Sequence, residues 1–279
     1  MNPPRWSLYG LVAAVAWVGV AGVGYHGWRQ IQASASAPPP KTSVVVAAPS
    51  ASPSPNESAS PVATPAATPT PTPAPTPIPD SVLIKVPFTS QFPFQASNHA
   101  FYEDFCEAAG TLMAGAYWSG DQRAQIPGSE ADTRMRAIVA YERASWPGQL
   151  NLSLADMGQS ATHFFGLQSQ IVPLDLNVIE QQLADGRPVI IPLMTHVNGA
   201  PINPGYGRLP VYHVLVLIGY DKAQGLVYTN DAGLYNGGHL PYRWSTLAAA
   251  ADYAATLHVD GAGSAVPWQQ GRVMLILSK

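Results

Sequence analysis

The sequence predicts an α+β domain, helices first and a largely antiparallel sheet after them, carried behind two segments of a different character. Three observations predict it. Apolar residues recur at helical spacing in the first half of the region 81–279, apolar runs of strand length fill its second half, and residues 1–80 have neither pattern.

The chain opens with a stretch free of Asp, Glu, Lys and Arg between Arg5 and Arg29, apolar through 8–23. That run is long enough to cross a bilayer, which takes about 20 residues of helix, and Tyr9, Tyr25 and Trp28 would fall near its two interfaces. Small residues at 33–37 offer cleavage sites of the kind found after a secretory signal. The apolar run is longer than a signal core, and Arg29 separates it from those sites, so residues 1–32 read as an uncleaved anchor. Either reading exports the C-terminal part; a cleaved segment would make the chain secreted. Residues 33–80 are rich in Pro, Thr, Ser and Ala, with alternating Thr and Pro near the end. With little to bury, such a segment cannot offset its ordering entropy and reads as a disordered stalk, extending on the order of 100 Å at about 3.1 Å per residue.

Within 81–279 the elements come in order. Residues 81–88 read as an entry strand. Phe105 to Trp118 has apolar and small residues on all sides, the pattern of a buried helix. Ser129, Ser153 and Asn177 are read as caps of three further helices, ending near Ala144, Phe165 and Gly186. Then the period changes: 188–194, 211–220 and 225–230 read as strands, the first two apolar on both faces and therefore central. Asn236-Gly237-Gly238 reads as a hairpin turn, Ser245 opens a short Ala-rich helix, and 272–277 makes a last strand. No internal repeat is present.

Cys106 is the only cysteine in 279 residues, so it serves no internal disulfide and is either a small buried hydrophobe or a reactive group. It stands at the start of the predicted helix, where unpaired amides favour a thiolate. A nucleophilic thiol also needs a base. Of seven histidines, His213 is held at the start of an apolar strand, with His196 and His239 in reserve; His26, His99, His163 and His258 are less well placed. Asp231, directly after the next strand, would meet His213 across a hairpin and fix its tautomer, whereas alternation aims Asn230 elsewhere. An oxyanion donor could come from the Cys106 amide and from Gln91, with Gln95 its competitor.

Taken together, Val86-Pro87-Phe88-Thr89-Ser90-Gln91, Cys106-Glu107-Ala108-Ala109, the segment Tyr212-His213-Val214 through Gly219-Tyr220-Asp221, and Asn230-Asp231 resemble the papain-superfamily peptidases related to bacteriocin-processing, double-glycine-leader peptidases. The resemblance runs from about Ile84 to the last strand. It implies a papain-like fold with Cys106 as nucleophile, His213 as base, Asp231 as orienting residue and Gln91 as oxyanion donor, acting on a peptide or isopeptide without a cofactor. An amidase on cell-wall peptides or an acyl transferase would use the same groups. This chain has Cys106-Glu107-Ala108 where the group often has Cys-Gly-Pro.

Other classes are weaker. A formal net charge of −3 with no basic block argues against nucleic acid. Glu103, Asp104 and Glu107 match no metal-ligand spacing and read as a solvated helix entrance. No glycine-rich phosphate loop precedes a helix. Trp118, Trp146, Trp244 and Trp268 read as core or, less often, a groove lining. The rival reading is a non-catalytic surface module, for which a stalk would serve equally well.

Overall fold

The computed structural model describes residues 77–94, 99–267 and 272–279, all within the compact unit Pro71–Lys279. The expected anchor, all but the end of the expected stalk, Gln95 and Trp268 lie outside the described residues. Among the described residues no helix is long and apolar enough to cross a membrane.

Three helices come first: α1 (Cys106–Trp118), α2 (Gly128–Ser145) and α3 (Leu154–Phe165), preceded by strand β1 (Ser81–Leu83) and a 3-10 turn at His99–Tyr102. After them run β2 (Gln168–Pro173), α4 (Leu176–Ala184), β3 (Val189–Met194), a small hairpin β4 (His196–Val197) and β5 (Ala200–Pro201), β6 (Tyr212–Asp221), β7 (Leu226–Asn230), β8 (Leu240–Arg243), α5 (Trp244–Ala254) and β9 (Val273–Ser278). Among the described residues seven strands form one sheet in the order β2-β9-β3-β6-β7-β8, with β1 added to β6. Every pairing in it is antiparallel, which satisfies the α+β expectation.

β3 and β6 are central because both of their faces are covered. Along β6, Tyr212, Val214, Val216 and Ile218 join the core beneath α1, α2 and α3. Leu215 and Leu217 join a second core beneath α4 and α5, as period-two alternation requires. Full burial of such side chains contributes about 1.5–3 kcal/mol each. α1 is buried along most of its length, and its small residues let neighbours approach: Gly115 lies under the Phe165 ring, and Gly110 lies against Val214 and Val216.

The helix starts show where sequence and structure part. Ser153 caps α3 in a complete capping box with Asp156. The cap of α4 is Asp175, whose carboxylate accepts from the amides of Asn177 and Val178; Asn177 itself is already helical. α2 begins at Gly128 with Pro127 in the cap position, so Ser129 is already helical and is not its cap. The entry strand pairs only over Ser81–Leu83. Beyond it Pro87 has no amide to give a ladder, and Phe88 makes a single bridge to Gln125. The short edge strands β2 and β8 carry mixed, partly exposed side chains, so no apolar pattern announces them. Trp118, Trp146 and Trp244 pack against the cores.

Candidate active site

Strand parity brings His213 and Asp231 together. In the β6–β7 ladder Val216 lies opposite Asn230. One residue further, Asp231 falls opposite Leu215, on the face that β6 also gives to His213. His213 Nε2 lies 3.0 Å from Asp231 Oδ1, and both side chains are almost wholly buried. Asn230 points the other way: its Nδ2 donates to the Val86 carbonyl at 3.0 Å, and its Oδ1 accepts from the His239 amide.

The Asp231 carboxylate has further donors. Tyr206 donates to Oδ1 at 2.8 Å and lies 2.7 Å from Oδ2. Tyr242 donates to Oδ2 at 2.7 Å, and the Gly233 amide to Oδ1 at 3.1 Å. Burial first, and then the Asp231 charge, push both phenols well above their ordinary range, so both remain donors. With these donors turned to the Asp231 carboxylate, a proton on His213 Nε2 fits the bond between the two side chains and leaves Nδ1 without one. The turn after Asp231 is tight. Its amide donates to the Gly237 carbonyl at 2.8 Å, and a Cβ on Gly237 would overlap the Asp231 carbonyl.

Cys106 occupies the first turn of α1 and is 3% exposed. The helix start alone would favour a thiolate, yet burial foremost, then the charge and hydrogen bond of Glu107, push the thiol well above its usual range. Sγ donates to Glu107 Oε2 at 2.8 Å, and the Val214 amide acts on it in the opposite direction. In this geometry burial and Glu107 favour the thiol form of Cys106. Glu107, expected at a solvated helix entrance, is 1% exposed; its other oxygen accepts from the Leu152 amide at 2.8 Å.

Gln91 braces the site. Its amide nitrogen donates to the carbonyls of Tyr102 (2.9 Å) and Glu103 (3.0 Å), on the segment that leads into α1. Its own backbone amide donates to the Ala232 carbonyl at 2.9 Å, next to Asp231. Gln91 therefore ties the loop before Cys106 to the loop after Asp231, and its Oε1 is buried without a partner. With both amide protons turned to carbonyls, donation to an oxyanion requires one of those bonds to open.

A cavity of about 370 Å³ opens beside this assembly, lined in part by Phe92, His99, Asn203, Gly233, Leu234 and Tyr235. Gly233 connects it to His213, since a Cβ there would lie 3.1 Å from His213 Cε1. Phe92 and His99 stack at 3.9 Å along its wall. The reserve histidines are elsewhere: His196 is buried against Thr195, and His239 is exposed in a left-handed turn. Sequence reasoning missed Tyr206 and Tyr242, which stand at no diagnostic spacing from Asp231. It also misjudged Glu107, whose apolar followers Ala108 and Ala109 were the available sign of a buried first turn.

The sheet with helices on both faces, and the helix that begins at the one cysteine, define the class as an α+β papain-like fold. The chain belongs to the Peptidase C39 like family, whose model matches residues 83–257, and is cysteine peptidase-like. A crystal structure described as a candidate C39-like peptidase from Bacillus anthracis is similar over 71% of this chain and 98% of its own, at 15% identity and a TM-score of 0.44. No curated protein matches the chain.

Proposed function

We propose that the chain is a membrane-anchored, extracytoplasmic cysteine hydrolase that cleaves a peptide or isopeptide bond through Cys106, His213 and Asp231. The observation that carries this reading is the His213–Asp231 bond of 3.0 Å, set beside the buried helix start that holds the only thiol. The anchor rests on the apolar run between Arg5 and Arg29.

In this mechanism His213 Nδ1 takes the Cys106 proton, and the thiolate attacks the carbonyl carbon. Asp231 keeps the ring oriented and supports the imidazolium. The developing oxyanion meets the amides at the start of α1, joined by Gln91 if its amide turns. His213 then gives its proton to the leaving amine. A thioester remains on Cys106, and water, activated by the same imidazole, releases the acid.

The cavity beside His213 fits the leaving side of the substrate, because the ring that protonates the amine must lie under that half. It holds no carboxylate or guanidinium among its lining residues, so a neutral side chain suits it. The test is digestion of a denatured protein mixture by the full chain, with new termini read by mass spectrometry. Cleavage abolished by Cys106→Ala and His213→Ala is expected. Equal cleavage by the Cys106→Ala variant would refute the mechanism.

A further inference from the structure

Peptide cleavage through Cys106, His213 and Asp231 does not use Glu107, although its carboxylate lies 2.8 Å from the Cys106 sulfur. A carboxylate beside a thiol opposes thiolate formation, and burial magnifies the opposition. Two further facts make this contact more than a local hydrogen bond. The second oxygen of Glu107 is fixed by the Leu152 amide, so the carboxylate is held in place. Behind it lies another buried acid, Glu142, 6% exposed, across a cavity of about 20 Å³ that both residues line with Asp104, Arg143, Gln149 and Leu152. A space of that size admits about one water, and its rim at Gln149 and Leu150 is exposed, giving protons a way in.

We propose that Glu107 is a positioning residue for the nucleophile: its carboxylate holds the Cys106 thiol in a resting hydrogen bond, and uptake of a proton by Glu107 releases the sulfur to His213. The proposal rests on the reading of Cys106 as nucleophile. In the resting form Sγ carries its proton, Glu107 is a carboxylate and His213 is neutral. One proton enters from solvent onto Glu107, which then has an O–H to donate and no longer holds the S–H. The thiol proton passes to His213 Nδ1, leaving thiolate and imidazolium. The same carboxyl that accepted from the thiol now donates to the thiolate, so its effect on the sulfur changes sign.

The groups facing this switch come from every packed element. Asp104 precedes α1, and Glu142 and Arg143 come from α2. The Leu152 amide comes from the approach to α3, and Asp156 from α3 acts through Glu142. His213 and the Val214 amide come from β6. Burial raises Glu107, Asp104 and Glu142 alike, and Glu142 stands at about 8 with the Glu107 charge among its causes. Burial thus favours the neutral, protonated form of both Glu107 and Glu142.

The active form carries one more proton than the resting form. Between pH 8 and pH 5 the reactivity of Cys106 therefore rises as pH falls, by up to about tenfold per unit until Glu107 is protonated. An ordinary thiol does the opposite. The experiment is the rate of iodoacetamide alkylation of the full chain across this range, for wild type, Glu107→Gln and His213→Ala. Glutamine can accept from the Leu152 amide and donate to the sulfur, so Glu107→Gln should react at least tenfold faster than wild type at pH 8 and show a flat profile. A wild-type rate that climbs with pH and coincides with that of Glu107→Gln overturns the latch. If His213→Ala is then still slower, the Cys106–His213 reading stands alone; if it too coincides, both fall. Should Glu107→Gln not fold, the S–H infrared band of the wild-type protein decides, free of background because the thiol is unique. It should lose intensity from pH 8 to pH 5, and a constant band overturns the proposal.

Discussion

Replacing Tyr242 by Phe removes one oxygen from the buried floor of the site and leaves the ring in place. Its hydroxyl donates to Asp231 Oδ2 at 2.7 Å and accepts from Asn203 Nδ2 at 3.2 Å. Asn203 is only half-buried, so water can replace that acceptor at little cost. Asp231 is fully buried, and Oδ2 keeps only its share of the Tyr206 proton. A hydrogen bond to a charged group contributes about 1.5–3 kcal/mol. Because no apolar contact is lost, that range is the whole expected destabilisation. For a unit of this size it lowers Tm by about 3–12 °C, and the urea midpoint falls at unchanged slope. Activity should fall less than tenfold, since His213, Tyr206 and the Gly233 amide still hold the carboxylate. A stability change below about 0.5 kcal/mol would refute the claim that Asp231 depends on a full set of donors.

Gly233→Ala places a Cβ 3.1–3.2 Å from His213 Cε1 and Nε2 and from Tyr206 Cε1. Displacement of the ring by a few tenths of an ångström should lower kcat/KM by about 10–10² while costing about 1–3 kcal/mol of stability, as kinetics and urea unfolding would show. Glu142 has the opposite sign from most carboxylates: its folded value is about 8 against an ordinary 4.5. Between these values the native state binds more protons than the unfolded chain, so this group's contribution to stability is present below about pH 4.5 and lost as pH rises through 8. Glu142→Gln keeps an acceptor for Ser160, which donates to it at 3.0 Å. It should be more stable than wild type in urea at pH 8, with the advantage shrinking towards pH 5.

Much of the site was legible because strand alternation is a strict rule. His213 at the start of an apolar run and Asp231 just past the next strand fall on one face by parity alone, and Asn230 is turned away by the same count. Elements with long apolar patterns, α1, β3 and β6, could be read within a residue or two. The capping of α4 was misread because Asn177 and Asp175 are both good caps two residues apart, and only the backbone decides between them. Glu107 was misread for a deeper reason. An acid in the first turn of a helix is normally there for the dipole and the solvent, and its burial depends on Leu152 and Glu142, which reach it from other elements. Tyr206 and Tyr242 come from a loop and an edge strand, so their convergence on Asp231 is a fact of tertiary structure.

β6 is gripped along one edge by β3 and then β1, and along the other by β7. Amide protons of such a strand exchange with solvent only when the whole unit opens. His213, the proposed base, is thus mounted on the part of the protein that comes apart last. The short turn at His99–Tyr102 that leads into α1 is fastened by side chains: Gln91, the ring contacts of Phe101, Tyr102 and Phe105, and the Tyr102 hydroxyl on Asp132. Under mild denaturant the two halves of the proposed catalytic pair should therefore separate before the sheet melts, and hydrolysis should be lost while the slowest-exchanging amides are still protected.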